Sequence, residues 1–366
     1  MLESADLLGY GLKQNFFIIG GGVAGLSAAY ELLQRGHGVR LANAGRAGQS
    51  SWAGAGILCP LLPWNYGEDV NRLALEGMES WPDWAAAIAK TSNKDPEYWA
   101  CGMEIRADGL EAALAWCRQH HLPAEMTTGR LWLPGVGQVR NPRIIAALSG
   151  AITAMGGEIL TDCEISQVNR DGRMALTVAS GQTEYTADAY IWAGGAWAAQ
   201  ALGPMAPVPH IRPVRGQMLL YAPGSHSLKH IIYRNGLYLV PRRDGHLLAG
   251  STTEDAGFDA RTTAEALQQL HEAACELLPE LGGHQPIRSW AGLRPGSPDN
   301  IPVIDRHPDF DNVWVHAGHF RYGVTMAPAS SRLLTELMLG QAPHLDPAPY
   351  SWAAAQARRW GSSAAC

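Results

Sequence analysis

The chain has little of what several common functions require. Its six cysteines, Cys59, Cys101, Cys117, Cys163, Cys275 and Cys366, form no CxxC pair and no Cys/His cluster at metal-ligand spacing. That pattern argues against a disulfide framework or a zinc site, no metal is expected, and the thiols read as buried or free in a reducing compartment. Basic residues do not dominate: 28 Lys and Arg stand against 34 Asp and Glu, a formal net charge of -6. Nucleic-acid binders normally carry a basic stripe, so small molecules are the expected partners instead. With 17% charged and 46% hydrophobic residues and no polar low-complexity tract, neither disorder nor a coiled coil is favoured. Long apolar runs are missing too. The best stretch, Phe16 to Leu33, is broken by Gly20, Gly21, Gly22 and Gly25 and carries Glu31, so no membrane span is expected. Met1 to Asn15 holds Glu3 and Asp6 and lacks the basic start and apolar run of a signal peptide, which points to a cytoplasmic protein. His120, His121 and His319 have no ligands at useful spacing, and Ser50-Ser51 lacks the strand-to-helix elbow of a nucleophile.

What is present is organised around glycine. At 366 residues the chain exceeds what one core usually supports, so two domains are expected. Phe16-Phe17-Ile18-Ile19 is a short apolar run that ends in Gly20-Gly21-Gly22-Val23-Ala24-Gly25, and Ala24 to Arg35 then carries apolar residues at helical spacing until Gly36. Val39 to Ala42 resumes as a strand. A strand, tight turn, helix and strand form the context that makes a GxGxxG credible as a dinucleotide site. Gly20 allows the turn, Gly22 lets the backbone approach a pyrophosphate, Gly25 lets the helix pack on the sheet, and the positive helix end faces the phosphates. About twenty residues on, where an acidic partner for the ribose is usual, the chain has Asn43, with Arg40 and Arg46 near enough to leave a ribose phosphate, and hence NADP, open at this point.

Further along, Trp81 to Arg130 reads as helices with one strand at Met103 to Arg106. Asn141-Pro142-Arg143 reads as a helix start, Asn capping and Pro in the first turn. Strands are expected at Glu164–Val168, Ala175–Val178 and Tyr190–Ala193, the last running into Gly194-Gly195-Ala196-Trp197. Alternation from Gly216 to Gly250 predicts an antiparallel sheet, Thr263 to Leu278 a helix, and Ala291 to Gly296 a loop. Val313–His316, a turn at Gly318 to Gly323 and a helix from about Ala327 to Leu339 repeat the N-terminal logic.

In order and spacing these segments resemble the glycine oxidases, within the D-amino-acid oxidase and sarcosine oxidase group of flavoproteins. The resemblance rests on Ser50-Ser51-Trp52-Ala53-Gly54-Ala55-Gly56-Ile57-Leu58 followed by Pro60-Leu61-Leu62-Pro63-Trp64, and on Pro213-Val214-Arg215-Gly216-Gln217, Pro241-Arg242-Arg243-Asp244-Gly245, Ala291-Gly292-Leu293-Arg294-Pro295-Gly296 and Gly318-His319-Phe320-Arg321. It spans Phe16 to about Pro349 and decides for FAD over NADP. It implies an α/β fold of D-amino-acid oxidase type, with a Rossmann-like FAD-binding domain of residues 1–80, 140–213 and 295–366. A mainly antiparallel substrate domain of 81–139 and 214–294 is interleaved with it.

Flavin contacts are implied for Gly20, Gly22, Val23, Ala24, Gly25 and Asn43; for Ser50, Ser51, Ala53, Gly54, Gly56 and Ile57; for Ile165, Gly194 and Trp197; and for Gly318, His319, Phe320, Arg321, Tyr322, Gly323 and Val324. A loop of small residues from Ser50 to Gly56 suits close approach to a planar ring, and Trp52 and Trp64 are assigned to the same neighbourhood. Arg294 is implied as the clamp on a substrate carboxylate, Tyr238 as a phenol aimed at the same group, and Arg321 as a neighbour lining that pocket or supporting its turn. Tyr322 stands where the family usually has Asn. The implied reaction is oxidation of a small amino acid, glycine first, with transfer of the α-hydrogen as hydride to the flavin and no catalytic base. Imine hydrolysis then yields a keto acid and ammonia, and oxygen becomes hydrogen peroxide, an activity that in the family feeds the thiazole branch of thiamine synthesis. A quinone-reducing dehydrogenase and a catalytically silent flavoprotein are the alternatives, no covalent flavin link is expected, and family members are often homotetramers.

Overall fold

The computed structural model describes residues 13–59 and 62–361. Cys366, Pro60, Leu61 and most of the segment tested for a signal peptide lie outside those residues. Phe16, Phe17, Ile18 and Ile19 are all buried, the mark of a strand covered on both faces. The strand Asn15–Ile19 sits in the middle of a six-stranded sheet. It pairs parallel with Gly38–Asn43 on one side and Ala189–Trp192 on the other. Glu158–Thr161 and Val313–Ala317 extend it in parallel, and Val303–Arg306 closes one edge antiparallel. Side chains alternate across this strand. Phe16 and Ile18 join a core with the helices Val23–Gln34, Glu68–Ser92, Asn141–Ala154 and Gly323–Met338. Phe17 and Ile19 instead meet Val168, Val178 and Phe310 beneath a small antiparallel sheet, Gln167–Asp171, Met174–Ser180 and Thr183–Thr186.

A second sheet of eight strands stands beside this layer, ordered Arg288–Gly296, Arg212–Tyr221, Leu247–Gly250, Leu237–Pro241, Ile231–Arg234, Met103–Arg106, Arg130–Leu133 and Glu125–Thr127. All its pairings are antiparallel except that of Ile231–Arg234 with Met103–Arg106. Leu219, Leu239 and Ala249 face the helix Ala264–Leu277, while Met218, Tyr238 and Leu248 face the opposite way. That alternation puts a phenol and a thioether on the side turned towards the first layer.

Several expectations need correction. The segment Ala291 to Gly296 is no loop. It is strand, because Arg212–Tyr221 offers a backbone partner at every residue from Arg212↔Gly296 to Leu220↔Arg288. The expected domain boundaries at 80/81, 213/214 and 294/295 all fall inside continuous elements, Glu68–Ser92, Arg212–Tyr221 and Arg288–Gly296. Residues 81–92 belong to a helix packed on Asn141–Ala154 and Gly323–Met338, so they sit with the dinucleotide layer. Asn141 is the first residue of the helix Asn141–Ala154, and Arg140 stands in the position before it without a side-chain capping bond. Ile231–Arg234 falls in the expected sheet region, while the strands Arg130–Leu133 and Thr183–Thr186 carry no expectation from the sequence.

The helix expected from about Ala327 begins at Gly323, four residues earlier, and carries Pro328 inside it. Proline has no N–H for the carbonyl four residues back, here Val324. Trp81 supplies the missing donor: its Nε1 lies 3.0 Å from Val324 O and 3.2 Å from Thr325 O. Gly77 allows this closeness, since a Cβ there would stand 2.3 Å from Thr325 O. Trp81→Phe leaves that buried carbonyl without its indole partner and is expected to cost about 1–3 kcal/mol in urea unfolding. An unchanged unfolding midpoint would refute the role assigned to the indole.

Candidate active site

Three adjacent parallel strands end in glycine turns at the same edge of the six-stranded sheet: Asn15–Ile19 at Gly20, Ala189–Trp192 at Gly194, and Val313–Ala317 at Gly318. Ligands of open α/β sheets bind outside the carboxyl ends of their strands. A cleft opens there in two adjoining compartments, which share Gly22, Ser50, Ser51, Ala193 and Gly195.

The first compartment, about 850 Å³ and open to solvent, is lined by Gly20, Gly22, Asn43, Ser50, Ser51, Ile165, Gly194 and Trp197. Gly20 has φ +126°, and a Cβ on it would stand 2.2 Å from Ala193 O. Gly25 lines neither compartment. Its missing Cβ is what lets the helix Val23–Gln34 sit on the strand, because one would fall 1.9 Å from Gly20 O. No side chain caps this helix at Gly22, so the positive end of its dipole is turned to the cleft. Ser51 Oγ accepts from Val23 N at 2.9 Å, tying the loop Ser50–Ala53 to that end. Asn43 Oδ1 accepts from Gly45 N at 3.2 Å and Gln49 Nε2 at 3.1 Å, leaving its amide N–H groups as the end suited to an outside oxygen. Both arginines that kept a ribose phosphate open are committed elsewhere. Arg40 binds Glu158 at 2.6 Å, while Arg46 pairs with Glu164 and lies over the Trp197 ring.

The second compartment, about 1050 Å³, is lined by Val23, Ala24, Ala53, Gly54, Gly56 and Ile57, by the turn from Gly318 to Val324, and by Tyr238, Arg294 and Arg321. Arg294 comes from strand Arg288–Gly296 and lies flat on the neighbouring strand, where a Cβ at Gly216 would stand 2.2 Å from its Nη1. Its Nη2 donates to Ser251 Oγ at 2.6 Å and its Nη1 to Thr252 O at 3.2 Å. Burial pulls the guanidinium below its ordinary pKa; the Tyr238 phenol beside it opposes the shift and the charge of Arg321 adds to it. Arginine stays charged even so. The Tyr238 hydroxyl donates to Met218 Sδ at 3.5 Å, and Arg321 Nη2 donates to Thr253 Oγ1 at 3.2 Å. Tyr322 is buried edge-on against Tyr66, and burial followed by the Tyr66 neighbour keeps its phenol protonated. His319 is buried too. Desolvation first, then the charge repulsion of His316, holds it neutral, and its Nε2 is an orphaned polar atom.

Other lining residues escaped the sequence reading. Asn141 looked like a helix cap, yet its Nδ2 reaches Ser51 O at 2.8 Å and its buried Oδ1 has no partner. A Cβ at Gly54 or Gly56 would collide with that amide. Gly216, Met218 and Cys59 line the cleft as well. Trp52 and Trp64 do not: Trp52 is half exposed against Trp290, and Trp64 packs on Trp116. Among the described residues no group of three metal-ligating side chains exists, and no helix is long and apolar enough to cross a membrane.

A family model described as FAD dependent oxidoreductase matches residues 15–337. The chain belongs to that family. The glycine oxidase of Pseudomonas aeruginosa is 38% identical over 93% of this chain and 99% of its own length. A bifunctional ThiO/ThiG protein of Synechocystis is 31% identical over 88% of this chain, which spans only 51% of that protein. The crystal structure of glycine oxidase from Geobacillus kaustophilus superposes with a TM-score of 0.84 at 27% identity, covering 93% of this chain and 98% of that one. The fold is therefore the D-amino-acid oxidase type, and FAD is the cofactor. The cleft suits it: two joined compartments for an elongated dinucleotide, glycine backbone at the junction, and orphaned polar atoms on Asn141 and His319.

His316 ties this site to the helices behind it, with Nδ1 3.1 Å from Ala24 O and Nε2 3.1 Å from Ser330 Oγ. Burial pulls its pKa down to about 4, against the bond to Ala24. An unfolded chain protonates a histidine near pH 6.5, so between that pH and about 4 the unfolded state binds the extra proton. Stability is then lost as pH falls through this window, by about 1.4 kcal/mol per pH unit from this residue. His316→Gln is expected to flatten unfolding free energy against pH between about 6 and 5, and an unchanged slope would contradict the assignment.

Proposed function

We propose that this protein is a glycine oxidase, converting glycine, water and oxygen to glyoxylate, ammonia and hydrogen peroxide. The carrying observation is the guanidinium of Arg294, half-buried in the wall of an FAD cleft with Tyr238 and Arg321 beside it. When bound, the flavin supplies the two-electron acceptor for the α-hydrogen and passes the electrons to oxygen.

The protein's own residues bind and orient. In this reading the six-stranded layer holds the FAD, through Gly20, Gly22, Val23 and Ala24, with Asn43 offering amide donors to the adenosine ribose and Ile165, Gly194 and Trp197 lining that end. The loop of Ser50, Ser51, Ala53, Gly54, Gly56 and Ile57 faces the ring system from one side. The turn Gly318, His319, Phe320, Arg321, Tyr322, Gly323 and Val324 faces it from the other. Gly25 contributes only through helix packing.

The eight-stranded wall presents Arg294 and Tyr238. A planar guanidinium takes a carboxylate through two parallel bonds, which fixes the α-carbon in position and orientation. Arg321 adds a second positive group. No carboxylate appears among the described residues lining this compartment, so nothing holds the substrate amine as an ammonium ion. The amine is free to shed its proton to solvent before the hydride leaves. Met218 and Tyr238 occupy the wall above the clamp, which suits a substrate without a side chain. The likeness to ThiO/ThiG proteins supports a role in thiamine thiazole synthesis, and we read the protein further as a cytoplasmic homo-oligomer.

Anaerobic mixing of the FAD-loaded protein with glycine is expected to bleach the flavin, and admitting air to restore it quickly. Flavin left unbleached by glycine, sarcosine, D-alanine and D-proline would sink this reading, whereas bleaching with slow return in air would indicate a quinone-reducing dehydrogenase. Arg294→Ala removes one half of a buried charge pair and should lower kcat/KM about a hundredfold or more. Gly216→Ala pushes the same guanidinium off its seat, and a displacement of about 1 Å is expected to cost up to about a hundredfold with FAD content unchanged. Wild-type kinetics in both variants would remove Arg294 from the mechanism.

A further inference from the structure

The guanidinium groups of Arg294 and Arg321 do not hold their own positions. Ser251 Oγ, Thr252 O and Thr253 Oγ1, three oxygens from one short strap, receive their bonds. The strap follows strand Leu247–Gly250 and has no ladder of its own. What fixes it is Glu254. Its backbone pairs with Arg215, N to O at 3.0 Å and O to N at 2.9 Å. Its carboxylate gathers four donors: Arg215 Nε at 3.0 Å, Arg215 Nη2 at 2.5 Å, Gln217 Nε2 at 2.9 Å and the Thr252 hydroxyl. Gln217 in turn donates its backbone N to Thr252 Oγ1 at 2.9 Å. Arg215 and Gln217 are buried. Burial raises the Glu254 carboxyl, but the bonds from Thr252, Arg215 and Gln217 outweigh it and keep it ionised.

We propose that Glu254 is a positioning residue for the carboxylate clamp, locking the strap 251–254 so that Arg294 and Arg321 are preorganised for an anionic substrate group. This rests on the reading that Arg294 takes the substrate carboxylate. The pair Arg215–Glu254 is itself neutral, so the net positive charge of the cleft stays on the two clamp arginines. Partners that hold a binding group in place are what make a small, weakly anchored ligand bind at all.

The experiment uses FAD-loaded wild type, Glu254→Gln, Glu254→Asp and Thr252→Val. Glycolate, a carboxylate without an amine, is titrated against the flavin spectrum, and FAD affinity and steady-state glycine kinetics are measured alongside. Glu254→Gln is expected to raise both the glycolate Kd and the glycine KM about tenfold, with kcat and FAD affinity within about twofold, as loss of uniform binding requires. Glu254→Asp should recover part of the loss, and Thr252→Val should show about a threefold rise. Unchanged glycolate binding, or a loss of FAD affinity equal to that of glycolate, would overturn the proposal. If Glu254→Gln does not fold, the Asp and Thr252→Val variants decide by the same criterion. Arg294→Ala separates the two levels: glycolate binding that survives it defeats the active-site reading itself, whereas its loss there with no change in Glu254→Gln defeats only the positioning role.

Discussion

Much of the second compartment follows from holding the half-buried charge of Arg294 in one place. A buried ion carries an effective penalty of several kcal/mol unless its hydrogen bonds are met and its charge is answered. The protein meets the bonds with neutral oxygens, Ser251 Oγ and Thr252 O, and answers the charge only from behind them, through Glu254. That choice dictates the neighbours. Gly216 must have no side chain, because the guanidinium occupies the space where a Cβ would stand. The strand carrying Arg294 must hold register with its partner over nine residue pairs, since a slip of one would turn the arginine to the opposite face.

The dinucleotide layer solves the complementary problem of bringing backbone close to a large ligand. Three neighbouring parallel strands stop at the same edge, and each continues into a glycine turn. Two of those turns lead into helices that start without a side-chain cap, Val23–Gln34 and Gly323–Met338. Positive dipole ends therefore meet at the cleft from both sides, with Val23 N held by Ser51 Oγ. Between the two lies His316, which holds Ala24 of the first helix and Ser330 of the second on one buried ring. The packing of Trp81 against the carbonyl that Pro328 leaves open braces the helix Gly323–Met338 from behind.

Local chemistry made the first half of this legible. The glycine loop, its flanking strands and its helix are within one or two residues of where hydrophobic periodicity puts them, and Gly20 and Gly25 do what their spacing implies. Errors arise where a distant partner decides. Ala291 to Gly296, with two glycines and a proline, has the composition of a loop, but an exposed row of N–H and C=O groups on Arg212–Tyr221 draws it into a ladder. Asn141 before Pro142 looks like a cap, and only its reach to Ser51 reveals its place in the cleft wall. The strap at 251–254 carries no periodic signal. Its bonds come from Arg215 and Gln217, more than thirty residues earlier in the chain.

The charges that remain in the second compartment settle what kind of molecule it can admit. Arg294 and Arg321 are positive, and the start of the helix Gly323–Met338 adds a partial positive charge. The other titratable groups facing them are silent: His319 is held neutral by burial and by His316, and Tyr322 stays protonated. A cation entering here would meet no countercharge and would lose its hydration without compensation. In the proposed reading, an amino acid carrying a carboxylate brings negative charge to the guanidinium and leaves its amine in neutral surroundings. On that reading the compartment selects for the acid group first, and the reactive nitrogen is placed by geometry alone.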